Sequence, residues 1–409
     1  MGKKRFIFGA IILSMFTAAL YFYDFFFMQG PYGVSNSDVL IQIGYMEHWY
    51  SEGELPMMCQ AYPLYYYVLR IMYHFVRNWQ IVVLALCAVW SFITNMVQIS
   101  LVRRMCDDGY NLYSLLAGTA LSFAWPISFQ YSFFGGQTYW EMPLEQVFLT
   151  SGATSPNHSM TYLFLKPFAI LALYLFLKIL DADDNRYATG YAVLFGITLF
   201  FSVLAKPCFY QAFAPAGVIY VLIYLIRKGW KSFIRCCIVA VAYLPATAWV
   251  LYAMRLKLAP YRFSFAEGIN MFNDGTPLPL LLSRAIVFCL FVGLCMIRYK
   301  AWNNKYILGL MVYAFGALEF LCLIETENPE WLSMSWGYFT GQYAFFILSI
   351  VIFYRLVHRR GDKLTKAVSI FGNSTLAVHA AFGIAVFSLT YLPWWINYLS
   401  TIHLPFHEL

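Results

Sequence analysis

The residues best suited to chemistry stand where apolar stretches give way to polar ones. Ser35-Asn36-Ser37-Asp38 precedes an apolar stripe at Val39, Ile43, Met46 and Tyr50. Steps of four, three and four put those side chains on one face of a helix. The pattern predicts a helix starting near Ser37 and lying flat on a membrane, with Asp38 in its first turn at the positive end of the helix dipole. Two roles are open to Asp38. It can support the helix start, where Asp is common for local reasons. It can also serve as a general base at the rim of a cavity. Glu47, His48, Glu52 and Glu54 follow with no metal-ligand spacing.

The candidate cations lie further along. Arg70 sits inside the apolar run 62–76, just after Ala61-Tyr62-Pro63-Leu64-Tyr65-Tyr66-Tyr67. A cation in such a run must reach water or an anion, and a lipid phosphate is one candidate. Tyr65 and its neighbours suit the lipid–water interface. Lys166-Pro167 and Lys206-Pro207 each put a cation beside a proline at the edge of an apolar run. Two such cations facing one cavity would form a phosphate site. His158 lies in Ser155-Pro156-Asn157-His158-Ser159, and Arg262 in a loop with Arg255, Lys257, Glu267 and Asp274. Glu319, inside an apolar run, is unfavourable in lipid and thus a functional candidate. Glu325, Glu327, Glu330 and Trp336-Gly337 form an acidic and aromatic group that suits sugar hydroxyls or an ordinary solvated turn.

The elements that must position these residues are transmembrane helices. Of the 409 residues, 61% are hydrophobic and only 11% charged, against about 25% charged in soluble domains. The mean hydropathy is +0.62. Runs long enough to span occur at 5–28, 80–102, 112–134, 161–179, 188–205, 209–226, 233–254, 279–297, 306–324, 337–356 and 374–396. Only helices or closed barrels satisfy the backbone in lipid, and these runs are too long for barrel strands. The expected fold is an all-α polytopic membrane protein of about 11 helices, with 1–409 forming one domain. No internal repeat and no separate soluble domain is evident; the longest link on the basic side, from Arg355 to Phe371, is too short to fold alone.

Charge placement fixes the topology. If 62–76 stays out of the membrane, only Arg70, Arg77, Lys166, Lys206, Arg255, Lys257, Arg262 and Arg284 of the 27 Lys and Arg fall on the outer side. If 62–76 crosses, the bias reverses. The positive-inside rule therefore predicts a cytoplasmic N-terminus at Lys3-Lys4-Arg5, a retained signal anchor over 5–28, a surface helix at 62–76 and a long outer loop at 29–79. The net charge of +7 is spread over loop ends rather than gathered in one patch, which points away from nucleic acid. The nine cysteines show no CxxC or Cys/His spacing, so neither a disulfide framework nor a metal is indicated. No P-loop or Rossmann glycine pattern is present.

This layout resembles the C-type membrane glycosyltransferases, the GT-C superfamily. The matching pieces are Asp38 soon after the first span, the following surface helix, and Tyr62-Pro63-Leu64-Tyr65-Tyr66 in a long first outer loop. The resemblance covers the layout of most of the chain, with its motif content confined to about residues 36–70. It implies a multi-pass protein of the cell membrane that transfers a hexosyl or pentosyl unit, with inversion, from a polyprenyl-phosphate donor to a glycan or lipid acceptor at the outer face. No cofactor is expected from the sequence. Asp38 would be the base and Arg70, Lys166, Lys206 and Arg262 the phosphate ligands, with Tyr65, His158, Glu325 and Trp336 as further substrate contacts. The competing reading is a transporter or flippase of a lipid-linked saccharide, which needs the cations and aromatics but no base.

Overall fold

The computed structural model describes residues 1–28, 38–106, 109–125, 127, 132–134, 137–139, 159–256, 261–266, 282–283, 285–326, 335–358 and 363–389. The chain is all-α and built for a membrane. Helix α1 is Lys3–Met28. The next segment folds into α2 (Asp38–Glu52), α3 (Met57–Gln60) and α4 (Leu64–Val76). Then come α5 (Trp79–Cys106), α6 (Leu112–Phe123), α7 (Met160–Asp181), α8 (Asn185–Ala205), α9 (Cys208–Lys228) and α10 (Phe233–Arg255). The last four are α11 (Val287–Arg298), α12 (Asn304–Cys322), α13 (Ser335–His358) and α14 (Lys363–Leu389).

Among the described residues nine helices are long and apolar enough to cross a membrane, and α6 and α11 are shorter apolar helices. Together they correspond to the eleven apolar runs, with two differences in length. The run 112–134 yields a helix that stops at Phe123. Trp125 precedes Pro126, and a residue before proline is pushed out of the helical region. In the run 279–297, Leu282 and Ser283 are helical and the continuous helix α11 starts at Val287. Each 12-residue helix spans about 18 Å, short of a hydrocarbon core of about 30 Å. The run 374–396 is also shifted, because α14 already starts at Lys363. Much of the expected link from Arg355 to Phe371 is therefore helix.

The segment 62–76 forms α4, 13 residues long, with Tyr65, Tyr66 and Leu69 buried while Ile71, Phe75 and Val76 are exposed. Two short antiparallel pairs, unforeseen in the sequence, complete the fold. Strands β1 (Ser132–Phe134) and β2 (Gln137–Tyr139) pair, as do β3 (Tyr261–Phe263) and β4 (Leu323–Glu325).

The centre of the bundle is α13, in whose apolar stretch 89% of residues are buried, followed by α7 at 78%. Helices α12 and α13 meet through small residues. A Cβ added to Gly341 would lie 2.8 Å from Tyr313 Cα and from Val312 O, and one added to Gly316 would overlap the Gly337 carbonyl. In lipid, where burial of apolar groups drives little association, such backbone approach is what binds helices. His379 fastens α14 to the rest. Its Nδ1 lies 2.6 Å from the Trp125 carbonyl and its Nε2 accepts from Phe288 N–H at 3.3 Å. Nδ1 is therefore the protonated nitrogen, and the ring is satisfied at both ends.

Candidate site of cations and aromatic rings

Helix α2 buries Val39, Gln42, Ile43, Met46 and Trp49. The stripe predicted through Val39, Ile43 and Met46 is present, but Trp49 closes it instead of Tyr50. Tyr50 is exposed at the helix end, edge-on to Tyr73 and accepting a hydrogen bond from Arg77 at 3.3 Å. Asp38 opens this helix and is half-buried; Ser35, Asn36 and Ser37 lie outside the described residues. Gln42 stands one turn on, on the same side of the helix. Its amide donates to Ser159 Oγ at 3.4 Å, just ahead of α7.

Ser159 is the meeting point. Its hydroxyl pairs with Thr161 Oγ1 at 2.9 Å, and the Lys206 ammonium donates to both, at 3.5 Å and 3.4 Å. Two accepted bonds and one donated bond satisfy the Ser159 hydroxyl. Lys206 closes α8 and Pro207 opens α9, so the turn between two long helices holds the amine at one end of the bundle. The ammonium sits 3.4 Å above the centre of the Trp336 ring, in the first turn of α13. Burial lowers the Lys206 amine to about 8, with the charge of Asp38 pulling the other way. The same carboxylate, after burial and Cys59, helps raise the Tyr45 and Tyr62 phenols. Asp38, Lys206, Tyr45 and Tyr62 therefore share one electrostatic neighbourhood.

Lys166 lies on the other flank of the same aromatic wall. Tyr162 is 5.2 Å from Trp336 by ring centroids, and the Lys166 amine is 5.2 Å from the Tyr162 ring. The amine also donates to Tyr21 Oη at 3.3 Å. Lys166-Pro167, expected at the head of a span, lies two turns inside α7, where Pro167 has no N–H to offer the Leu163 carbonyl. Lys166 lines a cavity of about 20 Å³ with Ser122, Trp125, Tyr162, Gln342 and Tyr343. That space holds about one water molecule and no sugar. Asp38 is not part of its lining.

A buried polar chain leads from Lys166 into the bundle. Tyr21 Oη donates to the Ser122 carbonyl at 2.9 Å, and the one proton of Ser122 Oγ is shared between Gln98 Oε1 at 2.7 Å and Asn95 Oδ1 at 3.1 Å. Gln98 donates to Tyr343 Oη at 2.8 Å, and Asn95 to Ser14 Oγ at 3.1 Å. Such bonds tie α1, α5, α6 and α13 together and give buried polar groups protein partners.

The other sequence candidates stand apart. Arg70 is exposed, its guanidinium 4.0 Å from the Trp49 ring centre, a cation–π pair. Tyr65 is buried against Tyr66 and Phe164, and burial raises its phenol. Arg262 is exposed on β3, opposite Ile324. The Glu325 backbone pairs with Tyr261. His158, Lys257, Glu267, Asp274, Glu327 and Glu330 lie outside the described residues. Glu319 Oε2 is buried against Gly337 with no hydrogen-bond partner among the described residues. There too, no three of His, Cys, Asp and Glu gather as a metal site. Gln42, Thr161, Tyr162 and Tyr21 were not singled out from the sequence, and Ser159 figured there only as the end of the stretch around His158. The one available signal was Gln42, four residues after Asp38.

Neither family models nor curated proteins give a match to this chain.

Proposed function

We propose that this chain is a membrane glycosyltransferase that takes a sugar from a polyprenyl-phosphate donor. The observation that carries the reading is a carboxylate within electrostatic reach of an ammonium at one end of the bundle. Asp38 acts electrostatically on Lys206, which is held over Trp336 and the Ser159–Thr161 hydroxyls. Asp38 accepts the proton of an acceptor hydroxyl. The acceptor oxygen bonds to the anomeric carbon as the bond from that carbon to the phosphate oxygen breaks, with inversion. The electron pair stays on the departing polyprenyl phosphate, which the Lys206 ammonium stabilises. Tyr162 and Trp336 offer apolar faces to the sugar. The cavity beside Lys166 is too small for it, so binding requires the aromatic wall to part.

A second reading, movement of the lipid-linked saccharide across the membrane, is favoured by the buried polar chain from Lys166 to Ser14. One experiment separates them. Membranes carrying wild type or Asp38→Asn are supplied with a labelled polyprenyl-phosphate sugar and an acceptor. The asparagine variant is expected to lose at least about a hundredfold in transfer, the contribution of general-base catalysis. Full transfer by the variant removes Asp38 as the base. Passage of the label across the membrane with no transfer by either protein makes the chain a transporter.

A further inference from the structure

The opposite end of the bundle holds a second cluster of cations. A cavity of about 60 Å³ opens between the ends of α5, α7 and α13 and the start of α12. Among the described residues its charged lining is Arg104, Lys178, Lys305 and Arg355, with the carboxylate of Asp181. That carboxylate is engaged, since Lys305 Nζ lies 2.5 Å from Asp181 Oδ2. Arg355 is anchored from the other side, donating to the Met105 carbonyl at 2.6 Å. Lys178 leans on the Tyr174 ring at 5.6 Å, and neither it nor Arg104 has a carboxylate partner among the described residues. The lower wall is apolar, made by Leu177, Leu348, Val351 and Ile352. Four helices thus converge cationic side chains on a space the size of about four water molecules, floored by hydrocarbon.

We infer that this cavity binds a phosphate-bearing anion. Excess positive charge fixed on several helices, with donors that are already partly oriented, suits a tetrahedral oxyanion better than a surface whose cations are each paired with a carboxylate would. The depth matches a headgroup lying at the level of the helix ends, with the apolar floor meeting acyl chain. A soluble phosphate would use the same cations and leave the floor uncovered. The site is separate from Lys206, which sits at the other end of α8, and it stands whether or not the chain transfers sugar.

The test uses the full chain purified in a neutral detergent, with binding followed by native mass spectrometry and by thermal stabilisation. The probes are inorganic diphosphate, cardiolipin and phosphatidylcholine. Cardiolipin is expected to bind, phosphatidylcholine to bind at least about tenfold more weakly, and the double variant Arg104→Gln/Lys178→Gln to lose about tenfold or more in cardiolipin affinity. The charge-preserving swap Arg104→Lys/Lys178→Arg should retain most of it, and Lys231→Gln, an exposed cation outside the cavity, should change nothing. Diphosphate that competes with cardiolipin at equal affinity identifies a free phosphate as the ligand; diphosphate that does not compete identifies the lipid. The inference is overturned if the glutamine double variant binds cardiolipin like wild type. It is equally overturned if Lys231→Gln weakens binding as much as that double variant does.

Discussion

Lys206 offers the sharpest probe of the proposed phosphate contact, because its amine titrates within reach of ordinary buffers. Burial brings it down from 10.5 to about 8. Near pH 7 roughly nine-tenths of the protein carries the ammonium, and near pH 9 roughly one-tenth. If the ammonium is the phosphate ligand, affinity for polyprenyl phosphate falls once pH passes about 8, by up to about tenfold per unit. The phosphate's own second ionisation is complete below this range, at about pH 6, so the lysine is isolated. Lys206→Arg keeps its charge throughout and can still lie over Trp336, so its profile should be flat from pH 7 to 9.5. Lys206→Gln should bind about 10- to 100-fold more weakly at pH 7, the loss of one hydrogen bond to a charged group, with no pH dependence. The assay is equilibrium binding of labelled polyprenyl phosphate in detergent. The stability sign runs the other way. Between about pH 8 and 10.5 the unfolded chain holds this proton more tightly, so raising pH relieves a cost of the folded state. A wild-type profile that matches the arginine variant, or affinity that rises with pH, would refute the assignment of Lys206.

Two predictions concern the frame. Gly341→Ala places a methyl 2.8 Å from the Tyr313 and Val312 backbones, where nothing flexible can yield. It should cost about 1–3 kcal/mol, read as a lower unfolding temperature in detergent; an unchanged temperature would mean that α12 and α13 have slack. His379→Leu leaves the Trp125 carbonyl and the Phe288 N–H without the imidazole, at about 1–3 kcal/mol for each buried group. His379→Gln, which can both donate and accept, should recover part of that loss, whereas equal losses for Leu and Gln would make the ring's volume the cause.

How much of this was legible in the sequence depends on what each feature is made of. Helix count follows from local apolar composition, and the nine long helices fall on the runs read from it. The ends of α6 and α11 fail because a run of apolar residues does not say where the backbone leaves the helix. Pro126 was a usable local signal for the first. The face of α2 was readable through Val39, Ile43 and Met46, while its last contact was not, because Tyr50 overhangs the helix end. The meeting of Lys206 with Ser159, Thr161 and Trp336 joins residues up to 177 positions apart. No spacing encodes it, only the packing of α7 and α13 through the centre. The cluster of Arg104, Lys178, Lys305 and Arg355 was hidden in another way. Each was counted as one more charge marking a helix end. A tally along the chain treats such residues as equivalent, and only the fold distinguishes cations that line one cavity from those that face water. The charges that orient a membrane protein are thus also the ones most readily converted into an anion site, since they already stand together at one end.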